Sequence, residues 1–305
     1  LRRFLCGTLW RDEATSSARV RAATHGRAVG RFSRRRNRML RSTFCLLRGV
    51  GESTEQRLWH RGIRTWADLR AVGEQLFPER KWRSLKEELE YAEAALAARA
   101  LDFFLARLAG ALRSRVLRQF QGDFAYLDIE TEGLRATARV TSVALYDGAE
   151  VRVFVRGPHF AEAIGALCAC RAFVTYNGAT FDLPRLRGEF GLALAQPHLD
   201  LAPVMRGLGL GGGLKAVERR LGIGRCLSEG LDGQEAAALW ARYSTEGDQA
   251  ALHRLMAYNA EDAMALEPLL VHAYNESVSG FPLDMRCRAP GLSARRLVLE
   301  SLFDN

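Results

Sequence analysis

Tyr126-Leu127-Asp128-Ile129-Glu130-Thr131-Glu132-Gly133-Leu134 is the stretch on which the reading of this chain turns. Phe124 to Ile129 is an apolar, β-rich run, and Asp128 and Glu130 stand two residues apart at its end. Side chains alternate along a strand, so both carboxylates fall on one face of the sheet. Two like charges held there repel, and one pKa rises unless a cation neutralises the pair. A hard divalent ion supplies that neutralisation, because Mg²⁺ and Mn²⁺ prefer carboxylate and water oxygens.

Working outward, Val140 to Tyr146 and Val151 to Val155 are further β-rich runs, with Asp147-Gly148 as the hairpin turn between them. A helix near Ala161 to Cys170 follows, then a strand at Ala172 to Tyr176. A helix from Asp182 to Phe190, a short strand at His198 to Leu201 and a mostly helical remainder complete the order. Three antiparallel strands followed by alternating helix and strand is the order of a ribonuclease-H-like fold. The expected class is therefore α/β, a ribonuclease-H-like mixed sheet flanked by helices, with a small all-α N-terminal region.

Two further acidic sites fall at element ends. In Thr175-Tyr176-Asn177-Gly178-Ala179-Thr180-Phe181-Asp182-Leu183-Pro184 a strand ends in an Asn-Gly turn and a helix opens at Asp182. Alone, Asp182 reads as a helix cap and Asn177 as a turn residue; their place after a buried strand raises the functional case. In Tyr258-Asn259-Ala260-Glu261-Asp262, Tyr258 and Asp262 stand at i and i+4 of one helix and project side by side.

Asp128 and Glu130, then Asp182, then Tyr258 with Asp262, resemble the three motifs of the DEDD exonucleases in their tyrosine form. The histidine form needs a His five residues before the last Asp, and position 257 is Ala. With the Asn-Gly-x-x-Phe-Asp-x-Pro run and a Gly-Val-Gly segment in front, the chain resembles the YprB-like ribonuclease-H-like exonuclease domain proteins of bacteria. That resemblance implies a metal-dependent 3′–5′ exonuclease acting on single-stranded DNA or RNA ends with two Mg²⁺ or Mn²⁺ ions. It implies Asp128, Glu130, Asp182 and Asp262 as metal ligands, with Asp128 bridging both ions. Tyr258 would orient the attacking water, its ordinary pKa near 10 arguing against a simple general base. Asn177 would steady a substrate phosphate or the end nucleotide. The competing readings are a non-catalytic nucleic-acid-binding protein on a nuclease-fold scaffold, and a phosphodiesterase acting on small molecules.

The front of the chain is read separately. Gly49-Val50-Gly51 allows a tight turn, with Ser53 or Thr54 capping the next helix and Leu58 and Trp59 on its buried side. Gly62 ends that helix, and Thr65-Trp66-Ala67-Asp68 starts another with Trp66 and Leu69 inward. The segment resembles a helix-hairpin-helix module, which implies backbone-phosphate contacts at Gly49 and Gly51. Arg48, Arg57, Arg61 and Arg64 read equally as a solvated face. Ser84 to Gln119 carries a helical apolar stripe in which Gly110 is a point of breakage or bending. The expected organisation is a hairpin region over 39–83, a helical connector over 84–122, the nuclease domain over 123–278 and a tail over 279–305.

Lesser features carry bland readings beside sharp ones. Asp200 is an edge of the site or a helix cap. Gly209 to Gly213 lacks the Gly-Lys-Ser/Thr ending of a phosphate loop and reads as a flexible connector to Lys215. Cys168 and Cys170 read as core, and Arg286, Arg288, Arg295 and Arg296 as a basic end that grips nucleic acid or is solvated.

Charge is a weaker guide. The 305 residues carry a net charge of +9, and residues 1–38, with eleven Arg against two acidic residues, hold all of the excess. That segment reads as a nucleic-acid-binding arm, a transit peptide or upstream sequence ahead of Met39, the last being favoured because 41 Arg against 3 Lys fits a GC-rich coding bias. From Met39 onward 33 basic and 33 acidic residues cancel. The most apolar stretch, Ala94 to Leu112, contains Arg99, Asp102 and Arg107, so no membrane span is expected. Six cysteines with no Cys-x-x-Cys pair suggest a reducing, cytoplasmic setting.

Overall fold

The computed structural model describes residues 39–133, 135 and 137–303; the basic segment 1–38 lies outside them. Among the described residues, β1 (Phe124–Thr131), β2 (Val140–Tyr146), β3 (Val151–Val155), β4 (Ala172–Thr175) and β5 (His198–Asp200) form one sheet in the order β3-β2-β1-β4-β5. β1, β2 and β3 pair antiparallel, while β4 joins β1 and β5 joins β4 in parallel. Asp147 tightens the β2–β3 hairpin by accepting from the Ala149 and Glu150 amides, the Asx turn that Asp-Gly favours. The mixed α/β sheet expected from the sequence is present.

Alternation along β1 sorts the two faces. Ala125, Leu127 and Ile129 pack with Phe160, Leu167, Leu183 and Leu186 on one side; Phe124 and Tyr126 face the other core. Asp128 and Glu130 continue that second face where the strand runs out of apolar residues.

Helices α1 (Glu52–His60), α2 (Trp66–Leu76), α3 (Glu79–Ala97), α4 (Leu101–Arg107) and α5 (Leu117–Phe120) precede the sheet. After β3 come α6 (Glu162–Ala169), α7 (Asp182–Phe190), α8 (Leu201–Gly207), α9 (Leu214–Leu221), α10 (Gly233–Glu246), α11 (Gln249–Ser277) and α12 (Leu292–Glu300). From Ala257 to Val271 α11 is buried at every position, and it packs across β1, β2 and β3. Its Ala-rich composition allows the close approach to the sheet that brings its polar residues to the ends of β1. No helix among the described residues is long and apolar enough to cross a membrane.

The all-α front packs against the sheet layer. Its Phe44, Trp59, Trp66, Leu85 and Phe104 share one apolar cluster with Tyr126, Tyr146 and Tyr274 of the sheet and α11. Glu55 and Arg115 form an ion pair at 2.6 Å, with the Glu55 carboxylate accepting also from the Phe44 and Cys45 amides and Arg115 donating to the Ser277 carbonyl. Arg115 also lies over the Trp59 ring, so the charge is fully paired where it is buried.

Four local expectations change. Gly51, not Ser53 or Thr54, caps α1, because the helix already begins at Glu52. Thr65 does cap α2, in a reciprocal box with Asp68. The Gly49-Val50-Gly51 turn follows a 3-10 turn at Leu40–Ser42 and a run of turns rather than a helix. The stripe over 84–119 breaks at Arg99, whose φ of 53° carries its guanidinium to Asp123, as well as at Gly110. Cys168 is exposed, because α6 turns Ala163, Ala166 and Leu167 inward, whereas half-buried Cys170 does pack against that core.

Candidate metal centre and active-site cleft

The site forms where the C-terminal end of β1 meets the middle of α11. Asp128, Glu130 and Asp262 each present an oxygen within 4.8 Å of the other two. A cleft of about 790 Å³ exposes Asp128, Glu130 and Asp182 in its walls together with Tyr176, Asn177 and the first turn of α10. That volume lies within the range of small-molecule sites.

Each carboxylate is held. Asp128 Oδ2 accepts from Asn259 Nδ2 at 2.7 Å, and Asn259 Oδ1 accepts from the Ser142 hydroxyl at 2.9 Å. Ser142 lies opposite Glu130 in the β1–β2 register, so one buried asparagine ties the strand pair to α11. Tyr258, Asn259 and Asp262 share a helix face because they are three and four residues apart. Asp262 receives Arg225 on Oδ1 and Lys215 Nζ on Oδ2 at 3.3 Å. Lys215 also donates to the Tyr258 hydroxyl and lies 3.8 Å over its ring. Arg225 is fixed in turn by Glu218, at 2.8 to 3.1 Å through two of its nitrogens.

Asp182 begins α7, and its neighbours set it. Gly178 passes so near Thr175 that a Cβ there would stand 2.2 Å from the threonine hydroxyl, and Asn177 takes a left-handed φ of 65° that asparagine tolerates better than most residues. Asp200 clamps this turn, accepting from the Asn177 amide at 2.7 Å and the Ala179 amide at 3.1 Å, and caps α8 through Ala202. Asp200 therefore serves both as helix cap and as buttress of the cleft wall. The Asn177 side chain has no hydrogen-bond partner among the described residues and lines the cleft.

The electrostatics follow from the crowding. Burial first, then repulsion from Asp262, Asp182 and Glu130, raises the Asp128 carboxyl well above its usual range. Burial and Asp262 do the same to Glu130, against the opposing charge of Lys215. Asp182 is pushed up to about 7 by burial, although its own amide and that of Ile129 bond it. Tyr258 is driven further up by burial and by Asp262, Glu130 and Asp128, so its hydroxyl stays protonated and is no base at neutral pH. Crowded hard oxygens whose charged forms are disfavoured are a donor set suited to a divalent cation.

The structure thus brings Asp128, Glu130 and Asp262 together with Tyr258 beside them and Asp182 in the same cleft. Gly49 and Gly51 are not among the residues lining it. At that turn Lys81 donates to the Arg48 carbonyl and Glu88 accepts from the Arg48 amide. Arg295 of the basic end is buried and donates to the Gly224 carbonyl, and Arg296 pairs with Glu300, while Arg286 and Arg288 are exposed. Sequence reading missed Asn259, Ser142, Lys215, Glu218 and Arg225. Of these only Asn259 carried a local signal, three residues before Asp262 on one helix face.

No curated protein matches the chain. Residues 125–274, from β1 into the last turns of α11 and including all five of these motif residues, match the family model RNase_H_2 of the RNase_H superfamily.

Proposed function

We propose that the protein is a divalent-metal-dependent 3′–5′ exonuclease of the tyrosine-type DEDD class, releasing nucleotides from single-stranded nucleic-acid ends. The observation that carries this is the convergence of Asp128, Glu130 and Asp262 within 4.8 Å, with Asp182 and Tyr258 placed about them. Asp128, Glu130, Asp182 and Asp262 would hold two Mg²⁺ or Mn²⁺ ions, whose chemistry is to acidify a bound water and to neutralise charge on the phosphate and the leaving 3′ oxygen.

The chain's own groups do the rest. Tyr258 keeps its proton and, beside the metal ligand Asp262, would donate it to a water and so orient that water for in-line attack. Asn177, held by the Asp200 clamp, would offer a carboxamide that has no partner among the described residues to the phosphate or sugar of the end nucleotide. Asn259 keeps Asp128 in one rotamer, so the ligand geometry is set before substrate arrives. Backbone contacts at Gly49 and Gly51 are the corresponding proposal for the front region.

Asp128→Ala is the direct test. A purified Asp128→Ala protein is expected to leave a single-stranded oligonucleotide intact in Mg²⁺ and in Mn²⁺ while wild type degrades it. Equal degradation by both would end this reading, and binding without turnover by wild type would favour the non-catalytic one.

A further inference from the structure

Two cations share Asp262, and they are held unequally. Arg225 is 9% exposed and saturated: Glu218 takes Nε and Nη2, Ser228 Oγ takes Nη1 at 3.2 Å, and the loop carrying it is tied to α11 by Glu261, which accepts from the Leu227 and Ser228 amides at 3.2 and 2.8 Å. Lys215 has the Tyr258 hydroxyl and ring and a 3.3 Å contact to Asp262 Oδ2, and its side chain is 28% exposed on a flexible four-carbon stem. Asp262 Oδ2 is also the oxygen left over once Arg225 has Oδ1, in a carboxylate that faces Asp128 and Glu130.

We propose that Lys215 is an exchangeable counter-ion: its ammonium and a divalent cation compete for Asp262 Oδ2, and the displaced ammonium pairs with a backbone phosphate of the bound strand. A divalent ion carries twice the charge and approaches a carboxylate oxygen to about 2.1 to 2.5 Å, so it wins over an ammonium at 3.3 Å and then repels it. Arg225, locked by Glu218, stays and fixes the Asp262 rotamer for the incoming ion. Lys215 also lines a groove of about 680 Å³ with Arg219, Arg225, Glu218, Glu229 and Gly222 to Gly224, beside the catalytic cleft, with Asp232 common to both walls. Released Lys215 has that groove to move into, and its ammonium is the group there that a phosphodiester of the proposed substrate would pair with. The phosphate half rests on the nuclease reading; the exchange half does not.

Amine footprinting of wild type by an N-hydroxysuccinimide ester, read by mass spectrometry, separates the two. The chain has three lysines, and exposed Lys86 is the internal reference. Lys215 labelling is expected to rise severalfold when Ca²⁺ is added and to fall again when oligothymidylate joins the Ca²⁺. Labelling indifferent to Ca²⁺ overturns the exchange; a Ca²⁺-induced rise that oligothymidylate leaves unchanged overturns the phosphate pairing. In parallel, Mn²⁺ titrated calorimetrically into Lys215→Met is expected to bind severalfold tighter than into wild type, with Lys215→Arg restoring the weaker affinity. A merely structural lysine would loosen metal binding when removed, and that result also overturns the exchange. None of the metal arms needs turnover, so a chain that proves not to degrade nucleic acid leaves them interpretable.

Discussion

Replacing Asn259 by leucine tests the claim that the site is held from behind as well as built from carboxylates. The side chain is wholly buried and makes two bonds, accepting from Ser142 Oγ at 2.9 Å and donating to Asp128 Oδ2 at 2.7 Å. A hydrogen bond to a charged group is worth about 1.5 to 3 kcal/mol, and a buried hydroxyl left without its partner costs about 1 to 3 kcal/mol. The added apolar burial of leucine returns about 1 kcal/mol, leaving a loss of about 1.5 to 5 kcal/mol. For a chain of this size that lowers the thermal midpoint by about 3 to 8 °C. Because Asn259 also holds the Asp128 rotamer, Mn²⁺ affinity is expected to fall about 10- to 100-fold. Calorimetric melting and Mn²⁺ titration of Asn259→Leu, Ser142→Ala and the double variant give the coupling directly. A wild-type midpoint with unchanged Mn²⁺ affinity in Asn259→Leu would refute the reasoning, as would strict additivity of the two substitutions.

Other consequences follow from the same contacts. The folded-state pKa values of Asp128, Glu130 and Asp182 lie above those of the unfolded chain, so the stability they contribute is present when they are protonated and is lost as pH rises through the folded values, about 7 for Asp182. Without divalent ions the midpoint should therefore fall from pH 6.5 to 8.5, a window above the region in which His198, whose pKa burial lowers, acts in the opposite sense. Saturating Mg²⁺ should raise the midpoint more at pH 8.5 than at 6.5, because metal and protons compete for the same oxygens; a flat profile counts against this. Glu55→Ala strands Arg115 between the helical front and the end of α11 and should cost about 3 to 5 kcal/mol, measured as a lower denaturant midpoint for the whole chain. A melt of the front region alone would show that the two parts are independent. Tyr258→Phe should lower kcat with little change in KM, and the kcat pH profile should keep its shape from pH 6 to 9 because the hydroxyl is protonated throughout; a lost alkaline limb would instead assign Tyr258 a base role.

Signals that repeat within a few residues were legible in the chain. β2, β3 and α7 coincide with the runs Val140 to Tyr146, Val151 to Val155 and Asp182 to Phe190, because alternation, an Asp-Gly turn and a Pro in the first helical turn are local. Asp128 with Glu130, and Tyr258 with Asp262, were legible for the same reason: two along a strand and four along a helix each fix a shared face. The partners of those residues were not. Asn259 meets Asp128 across 131 positions and Ser142 across 117, and Lys215 meets Asp262 across 47. Lys215 stands in the sequence only at the end of the Gly209 to Gly213 connector and Arg225 belongs to no motif, and only the packing of α9 and its following loop against α11 turns them into counter-ions. The +9 belongs to residues 1–38, outside the described fold, whereas the carboxylate cluster is inside it.

The central claim, a metal-dependent exonuclease working from the 3′ end, is tested most directly by following one single strand labelled at its 5′ end and, separately, at its 3′ end. With Mg²⁺ or Mn²⁺ the 3′ label should leave as a mononucleotide from the first turnover while the 5′ label passes through a ladder of shortening products. A 5′-labelled mononucleotide appearing first, internal cleavage, or no metal-dependent product from either label would contradict the account.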